Sequence, residues 1–159
     1  LSEAERIYLS DVYDLINEGN DEQALKNLDR AYRWVSLSDL PADTCWYDIV
    51  LYYSYLGQSA KAEKIAQEYS SALINELHRV YALYEETYTA YLKTYSQYES
   101  SKDSKLIPDL QEYERLLDQV GSMFANIRDA MYDLQTLAGE QVGRSDIADK
   151  LQEVLSIYE

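Results

Sequence analysis

Glycine, proline, cysteine and histidine are scarce in this sequence. Its 159 residues include 5 Gly, 2 Pro, 1 Cys and 1 His. Because Gly and Pro mark turns, a chain with so few of them has few turns and long elements, which favours helices. The single cysteine, Cys45, excludes an internal disulfide. The single histidine, His78, excludes a zinc site built from several histidines.

Long apolar runs and positive charge are also lacking. No segment approaches the ~18 consecutive apolar residues of a membrane-spanning helix. The 29 acidic residues outnumber the 14 basic ones, and the formal net charge is -15. Such a charge repels nucleic acid and anionic membrane surfaces, so neither is expected as a partner. The charge either keeps the domain soluble or steers a basic partner towards it, and both interpretations stay open.

Motifs for catalysis and for cofactor binding are absent. The sequence has no phosphate-binding Gly-rich loop, no Gly-x-Ser-x-Gly turn and no EF-hand loop. Cys45 lies beside Trp46, which is typical of a buried structural thiol. Asp11, Asp14 and Glu18 share one helix face, a spacing that suits a cation but is more typical of a solvated face. We therefore expect no catalytic residue, no cofactor and no bound metal, and hence no enzyme activity in this chain.

Apolar residues recur at helical spacing along most of the chain. A linker with Pro41 interrupts the pattern at 36–43, and Asp21 is the predicted N-cap of the second helix. The interval 60–100 contains no Gly and no Pro, so it predicts either one long helix or two with a break. The helices predicted are 3–18, 22–35, 44–56, 60–100, 108–137 and 146–158.

One turn occurs three times. In each copy a Gly closes one helix, a capping Asp or Ser follows two residues later, and an Ala follows five residues after the Gly. An aromatic residue lies eleven positions before each Gly. The copies are Gly19 with Ala24 and Tyr8, Gly57 with Ala62 and Trp46, and Gly143 with Ala148 and Tyr132.

This pattern resembles the tetratricopeptide repeat, although a helical bundle with chance turns of this kind remains an alternative. The resemblance covers about half of the chain and is weakest in the third copy, where Gly139 stands at a Tyr position. It implies an all-α fold with stacked helix pairs and an inserted long antiparallel helical hairpin. We expect one domain over 1–159, with the first repeats in 1–59, the hairpin in 60–140 and a closing helix in 141–159.

The order of elements is also similar to the C-terminal region of large bacterial multi-spanning membrane proteins. Segments 18–29, 55–62 and 130–138 carry this likeness. The membrane part of those proteins resembles protein O-mannosyltransferases, with the C-type glycosyltransferase architecture. The resemblance implies that the chemistry of the parent lies in that membrane part, and that this domain lies on the periplasmic side, attached through a preceding N-terminal part. The chain starts at Leu1 without a Met, so we expect a fragment of a longer protein.

Tyrosine is abundant, with 17 Tyr against 1 Phe. Steps of three and four residues along 74–98 form a heptad-like seam that we expect to pair with a second seam along 110–134. Two interpretations stay open: a hairpin core whose hydroxyl groups reach solvent, or an aromatic platform for a partner. The platform candidates are Tyr84, Tyr88, Tyr91 and Tyr95.

The sequence therefore predicts a protein-interaction or scaffolding domain. Stacked helix pairs expose a groove formed by the first helix of each pair, and an acidic, aromatic groove should prefer a basic extended peptide. The alternative is a structural or oligomerisation element in which the Tyr-rich hairpin pairs with a second copy to give a homodimer. The groove candidates are Asp11, Glu18, Asp48, Tyr52 and Tyr55.

Overall fold

The computed structural model describes residues 3–34 and 45–158, and the side chains within them except those of 3–8 and 34. The predicted linker 36–43 and the side chain of Tyr8 therefore lie outside the described residues. Within those ranges the chain is helical and contains no strand. The elements are α1 (Glu3–Asn17), α2 (Asp21–Trp34), α3 (Cys45–Tyr55), α4 (Ser59–Ser101), a 3₁₀ turn (Ser104–Leu106), α5 (Ile107–Leu137), a π-helical segment (Ala138–Val142) and α6 (Ser145–Ile157).

The predicted all-α class is confirmed, and the helix boundaries agree with the prediction to within one or two residues wherever they are described. The open question about the interval 60–100 is resolved, because α4 is a single helix. The predicted helix at 108–137 corresponds to α5, whose second residue is Pro108. Proline suits the first turn of a helix, since an N–H group there would have no partner within the helix.

Two of the helix connections close with the same backbone hydrogen bonds. In each, the glycine N–H donates to the carbonyl three residues earlier (3.1 Å at both Gly19 and Gly57), and the following N–H donates five residues back (2.9 Å at both). Both glycines have positive φ, +79° and +72°, which an L side chain rarely adopts. At the third turn the N–H of Arg144 reaches six residues back, to Ala138 (2.8 Å), because a π-helical segment precedes it.

The predicted N-cap is wrong by one residue. Asp21 is the first residue of α2, and the side chain of Asn20 accepts the hydrogen bond from the N–H of Gln23 (3.4 Å). Ser59 and Ser145 are likewise first helical residues and not caps. Asn20, which completes the first glycine turn, thus also caps α2, and only the three residues 18–20 connect the two helices. Asp21 still lies where the helix dipole favours a negative charge.

The chain divides into two compact units, and the first contains the described residues of Leu1–Ile74 and Asp129–Glu159. Within it α1 packs against α2 and α3, α2 packs against α3, and the π-helical segment packs against α3 and α6. Trp46 is fully buried and stacks on Tyr69, with ring centroids 5.4 Å apart. Ala24 and Ala62, five residues after their glycines, are also buried, and so small a side chain lets two helices approach closely.

The second unit, Asn75–Arg128, contains part of α4, the 3₁₀ turn and part of α5. The carboxylate of Asp103 accepts the N–H of Lys105 (3.0 Å) at the start of that turn. The ring of Tyr81 on α4 lies 6.1 Å from that of Phe124 on α5. The buried side chains of this unit are Leu77, Val80, Thr87, Leu110, Val120 and Ile127.

The backbone conformation of the glycines predicts that two alanine substitutions change the stability of the protein in opposite directions. Gly57→Ala should destabilise the protein by about 1–2 kcal/mol, because a left-handed backbone is unfavourable for alanine, although its Cβ would meet no atom within 4 Å. Gly121→Ala is the matched control. Gly121 lies inside α5, its added Cβ also meets nothing within 4 Å, and the change should stabilise by about 0.5–1 kcal/mol. Urea denaturation followed by circular dichroism measures both, and shifts of the same sign would contradict the backbone argument.

Candidate interaction surfaces

One surface of the first unit combines tyrosine rings with carboxylates. The ring of Tyr52 on α3 lies 6.3 Å from that of Tyr13 on α1 and 6.5 Å from that of Tyr55. Tyr13 and Tyr55 are about half exposed, at 51% and 52%. We call this the acidic aromatic surface. It consists of Tyr13, Tyr47, Tyr52 and Tyr55 with the neighbouring carboxylates of Asp14, Asp48, Asp133 and Glu140.

The helical repeat and the packing of α1 on α3 explain how this surface forms. Tyr52 and Tyr55 are three residues apart and therefore share one face of α3. The next residue after Tyr52 is the fully buried Tyr53, so the core fixes the orientation of α3 and turns Tyr52 towards α1. Val12, also fully buried, orients α1 in the same way and leaves Tyr13 exposed.

The surroundings of Tyr47 and Tyr52 raise the pKa of both phenols. Burial, followed by the charge of Asp48, the phenols of Tyr13 and Tyr55, and Asp14, raises the pKa of Tyr52 to about 12. Burial also raises the pKa of Tyr47, followed by the charge of Asp133. The phenols of Tyr47 and Tyr52 are therefore protonated at physiological pH and add no negative charge to the surface. Neutral aromatic faces within a negative field attract cationic groups.

The structure brings together three of the five predicted groove residues, namely Asp48, Tyr52 and Tyr55. The other two are Asp11 on α1 and Glu18 just after its end, and both are exposed. In the described part of the chain they form no side-chain hydrogen bond, ion pair or ring contact with that group. Sequence reasoning did not name the remaining members as groove residues, although alignment of the repeats on their glycines offered a signal. Asp14 precedes Gly19 by five residues, and Tyr52 precedes Gly57 by five.

A second aromatic feature lies on α4 in the second unit. Its five tyrosines stack on one another along the helix, with successive ring centroids 6.0–6.4 Å apart and interplanar angles of 6–26°. We call it the tyrosine row. The rings of Tyr84, Tyr88 and Tyr95 are 37%, 43% and 43% exposed, so they are not interior side chains of the predicted seam. The members of the row are Tyr81, Tyr84, Tyr88, Tyr91 and Tyr95.

A smaller residue occupies the buried position beside the row. Thr87 is buried, and its hydroxyl donates to the carbonyl of Leu83 (2.8 Å). Carboxylates one turn further along α4 accompany the row at two places. The charge of Glu85, which also forms a hydrogen bond with Tyr81, raises the pKa of that phenol, and Glu99 acts in the same way on Tyr95. The tyrosine row is therefore also a set of neutral rings beside negative charges.

Residues 3–34 and 45–158 contain no group of three or more His, Cys, Asp or Glu side chains arranged to hold a metal ion. No helix in these ranges is long and apolar enough to cross a membrane. The thiol of Cys45 is buried next to Trp46, and His78 is exposed on α4.

No protein-family model matches the chain, and comparison with curated proteins and with solved structures finds no significant match. The resemblance to tetratricopeptide proteins and to the membrane proteins described above therefore depends on the sequence motifs alone.

Proposed function

We propose that this chain is a non-catalytic interaction domain that binds a basic, extended segment of a partner protein on its acidic aromatic surface. The observation that carries the proposal is the contact of Tyr52 with Tyr13 and Tyr55, beside the charges of Asp48 and Asp14. Lysine and arginine side chains can lie over such rings while their charged groups approach the carboxylates. Tyrosine is favoured at interfaces because it offers a large rigid area with one polar end.

The finer fold that we propose is a stack of tetratricopeptide-like helix pairs with an inserted helical hairpin. Three features support it. The turns at Gly19 and Gly57 have the same hydrogen bonds, the alanines five residues later are buried, and α3 packs against both α1 and the π-helical segment. The first helices of successive pairs would then be neighbours, and the acidic aromatic surface would lie on the groove that such stacks expose.

The proposal predicts salt-sensitive binding of a short, unstructured Lys- and Arg-rich peptide. Asp14→Asn combined with Asp133→Asn should weaken that binding by about threefold to tenfold, since exposed charge pairs are each worth about 0.2–1 kcal/mol. Fluorescence anisotropy of the labelled peptide measures the affinity. Raising NaCl from about 0.05 M to about 0.5 M should weaken it further, because the Debye length falls to roughly 4 Å.

The matched control is Glu114→Gln combined with Asp118→Asn, which removes the same charge from exposed positions on α5. This variant should bind the peptide within about a factor of two of the unmodified protein, because neither residue belongs to the proposed surface. Equal weakening by the two double variants would reduce the effect to net charge and contradict a defined surface. Equal affinity for an Asp- and Glu-rich peptide of the same length would also exclude the proposal.

The half-exposed tyrosine row favours a second candidate function, self-association through α4. Apart from the tyrosines, Leu83 and Leu92 are also exposed on this helix, at 37% and 46%. If the row forms a homodimer interface, Tyr88→Asp should dissociate the dimer by placing a charge among apolar rings. Tyr13→Asp places the same charge on a similarly exposed ring in the other unit and should leave the dimer intact. Sedimentation equilibrium distinguishes these outcomes, and a protein that is monomeric at high concentration excludes this function.

On the sequence resemblance alone we also propose that the domain belongs to a larger bacterial membrane protein of glycosyltransferase type, on the periplasmic side. The parent would carry the catalytic activity and the membrane segments. A hydropathy scan of the complete reading frame tests this proposal, because it requires several apolar segments of about 20 residues each. A reading frame without them would exclude it.

A further inference from the structure

A pocket of about 410 Å³ opens in the first unit between α2, α3 and the start of α4. Its volume lies within the range of about 300–1,000 Å³ that is usual for small-molecule sites. None of its residues belongs to the acidic aromatic surface. We call it the basic pocket, and it is lined by Asp29, Tyr32, Arg33, Tyr53, Lys61, Lys64 and Ile65.

The charge of this pocket is opposite to that of the chain. Three cationic side chains and one carboxylate line it, whereas the chain as a whole carries a formal charge of -15. Asp29 is already engaged, because its Oδ1 accepts the hydroxyl of Tyr53 (2.6 Å) and forms an ion pair with the Nζ of Lys61 (3.1 Å). The other two cations, Arg33 and Lys64, therefore determine the charge of the pocket.

Arg33 and Lys64 have no carboxylate within 4.0 Å among the described residues. Most other basic side chains do have such a partner, as in the pairs Lys26–Glu22 and Lys150–Glu153. Within the described residues, Arg33 and Lys64 therefore give the pocket a positive charge that no ion pair neutralises.

Local geometry places these groups on a common opening. Tyr32 and Arg33 lie three and four residues after Asp29 and therefore share its face of α2. Lys61 and Lys64 are likewise one turn apart on α4, and the buried Ile65 lies beside them. The hydroxyl of Tyr32 donates to Glu68 (3.2 Å), so its ring is fixed, and this ring meets that of Tyr53 edge-on at 6.3 Å.

The structure assigns the basic pocket as a binding site for a small oxyanion ligand that carries a phosphate or carboxylate group. The guanidinium fork of Arg33 suits two oxygens of either group, and the ammonium of Lys64 supplies a second charge. The phenol of Tyr53 supports the arrangement. Burial, followed by its hydrogen bond to Asp29, raises its pKa well above the usual value, so it stays a donor and keeps one oxygen of that carboxylate occupied.

An NMR titration of the ¹⁵N-labelled protein tests this assignment. Inorganic phosphate is used in one arm and acetate in the other, at constant ionic strength. The test variant is Arg33→Gln combined with Lys64→Gln. The control, Lys93→Gln combined with Lys105→Gln, removes two positive charges from exposed lysines that also lack a carboxylate within 4.0 Å in the described ranges. All four residues are exposed, so folding should be unaffected.

We expect saturable shifts of amides in α2 and at the start of α4, with similar affinity in the unmodified protein and the control. The test variant should bind at least about tenfold more weakly, because it loses two charged hydrogen-bond donors. Saturation by phosphate alone identifies a phosphate-bearing ligand, and saturation by acetate identifies a carboxylate. The assignment is overturned if neither anion gives saturable shifts, or if the two double variants weaken binding equally.

Discussion

The hydrogen bond from Tyr53 to Asp29 is the interaction on which both features of the first unit depend. A fully buried phenol requires a partner for its hydroxyl, and the partner here is a carboxylate on α2, which Lys61 of α4 also contacts. One side chain thus fixes α3 against two other helices. Such a bond to a charged group is worth about 1.5–3 kcal/mol, towards the lower value here because Asp29 is 40% exposed.

Because consecutive residues of a helix point about 100° apart, fixing Tyr53 also fixes Tyr52. Tyr53 faces α2 and lines the basic pocket, whereas Tyr52 faces α1 and forms the centre of the acidic aromatic surface. The two proposed sites therefore share a support but not a residue. The two proposals assign them different partners, a basic segment and a small oxyanion, in line with their opposite charges. Each site can therefore be tested by substitutions that leave the other unchanged.

The sequence predicted what depends on neighbouring residues and missed what depends on distant ones. Gly19 and Gly57 could be predicted as turn residues because the positive φ of such a turn depends only on the local backbone. The predicted helix boundaries came from these turns. The N-cap Asn20 was missed because a glycine turn can share its last residue with the next helix. The basic pocket could not be predicted because Arg33 and Lys64 are 31 positions apart in the sequence. They line one pocket only because α2 packs against α4. The tyrosine row was detected from its spacing, but the exposure of its rings depends on how α4 packs.

The ratio of 17 Tyr to 1 Phe suits a chain that is short of positive charge. With 29 carboxylates and 14 basic side chains, most carboxylates cannot be paired with a cation. A phenol packs its ring like phenylalanine and still donates a hydrogen bond, as Tyr53 does to Asp29 and Tyr32 to Glu68. Unlike lysine, it leaves the negative charge in place. A surface made of tyrosine and carboxylate can therefore be well packed and remain strongly acidic, which is the combination that recognition of a basic segment requires.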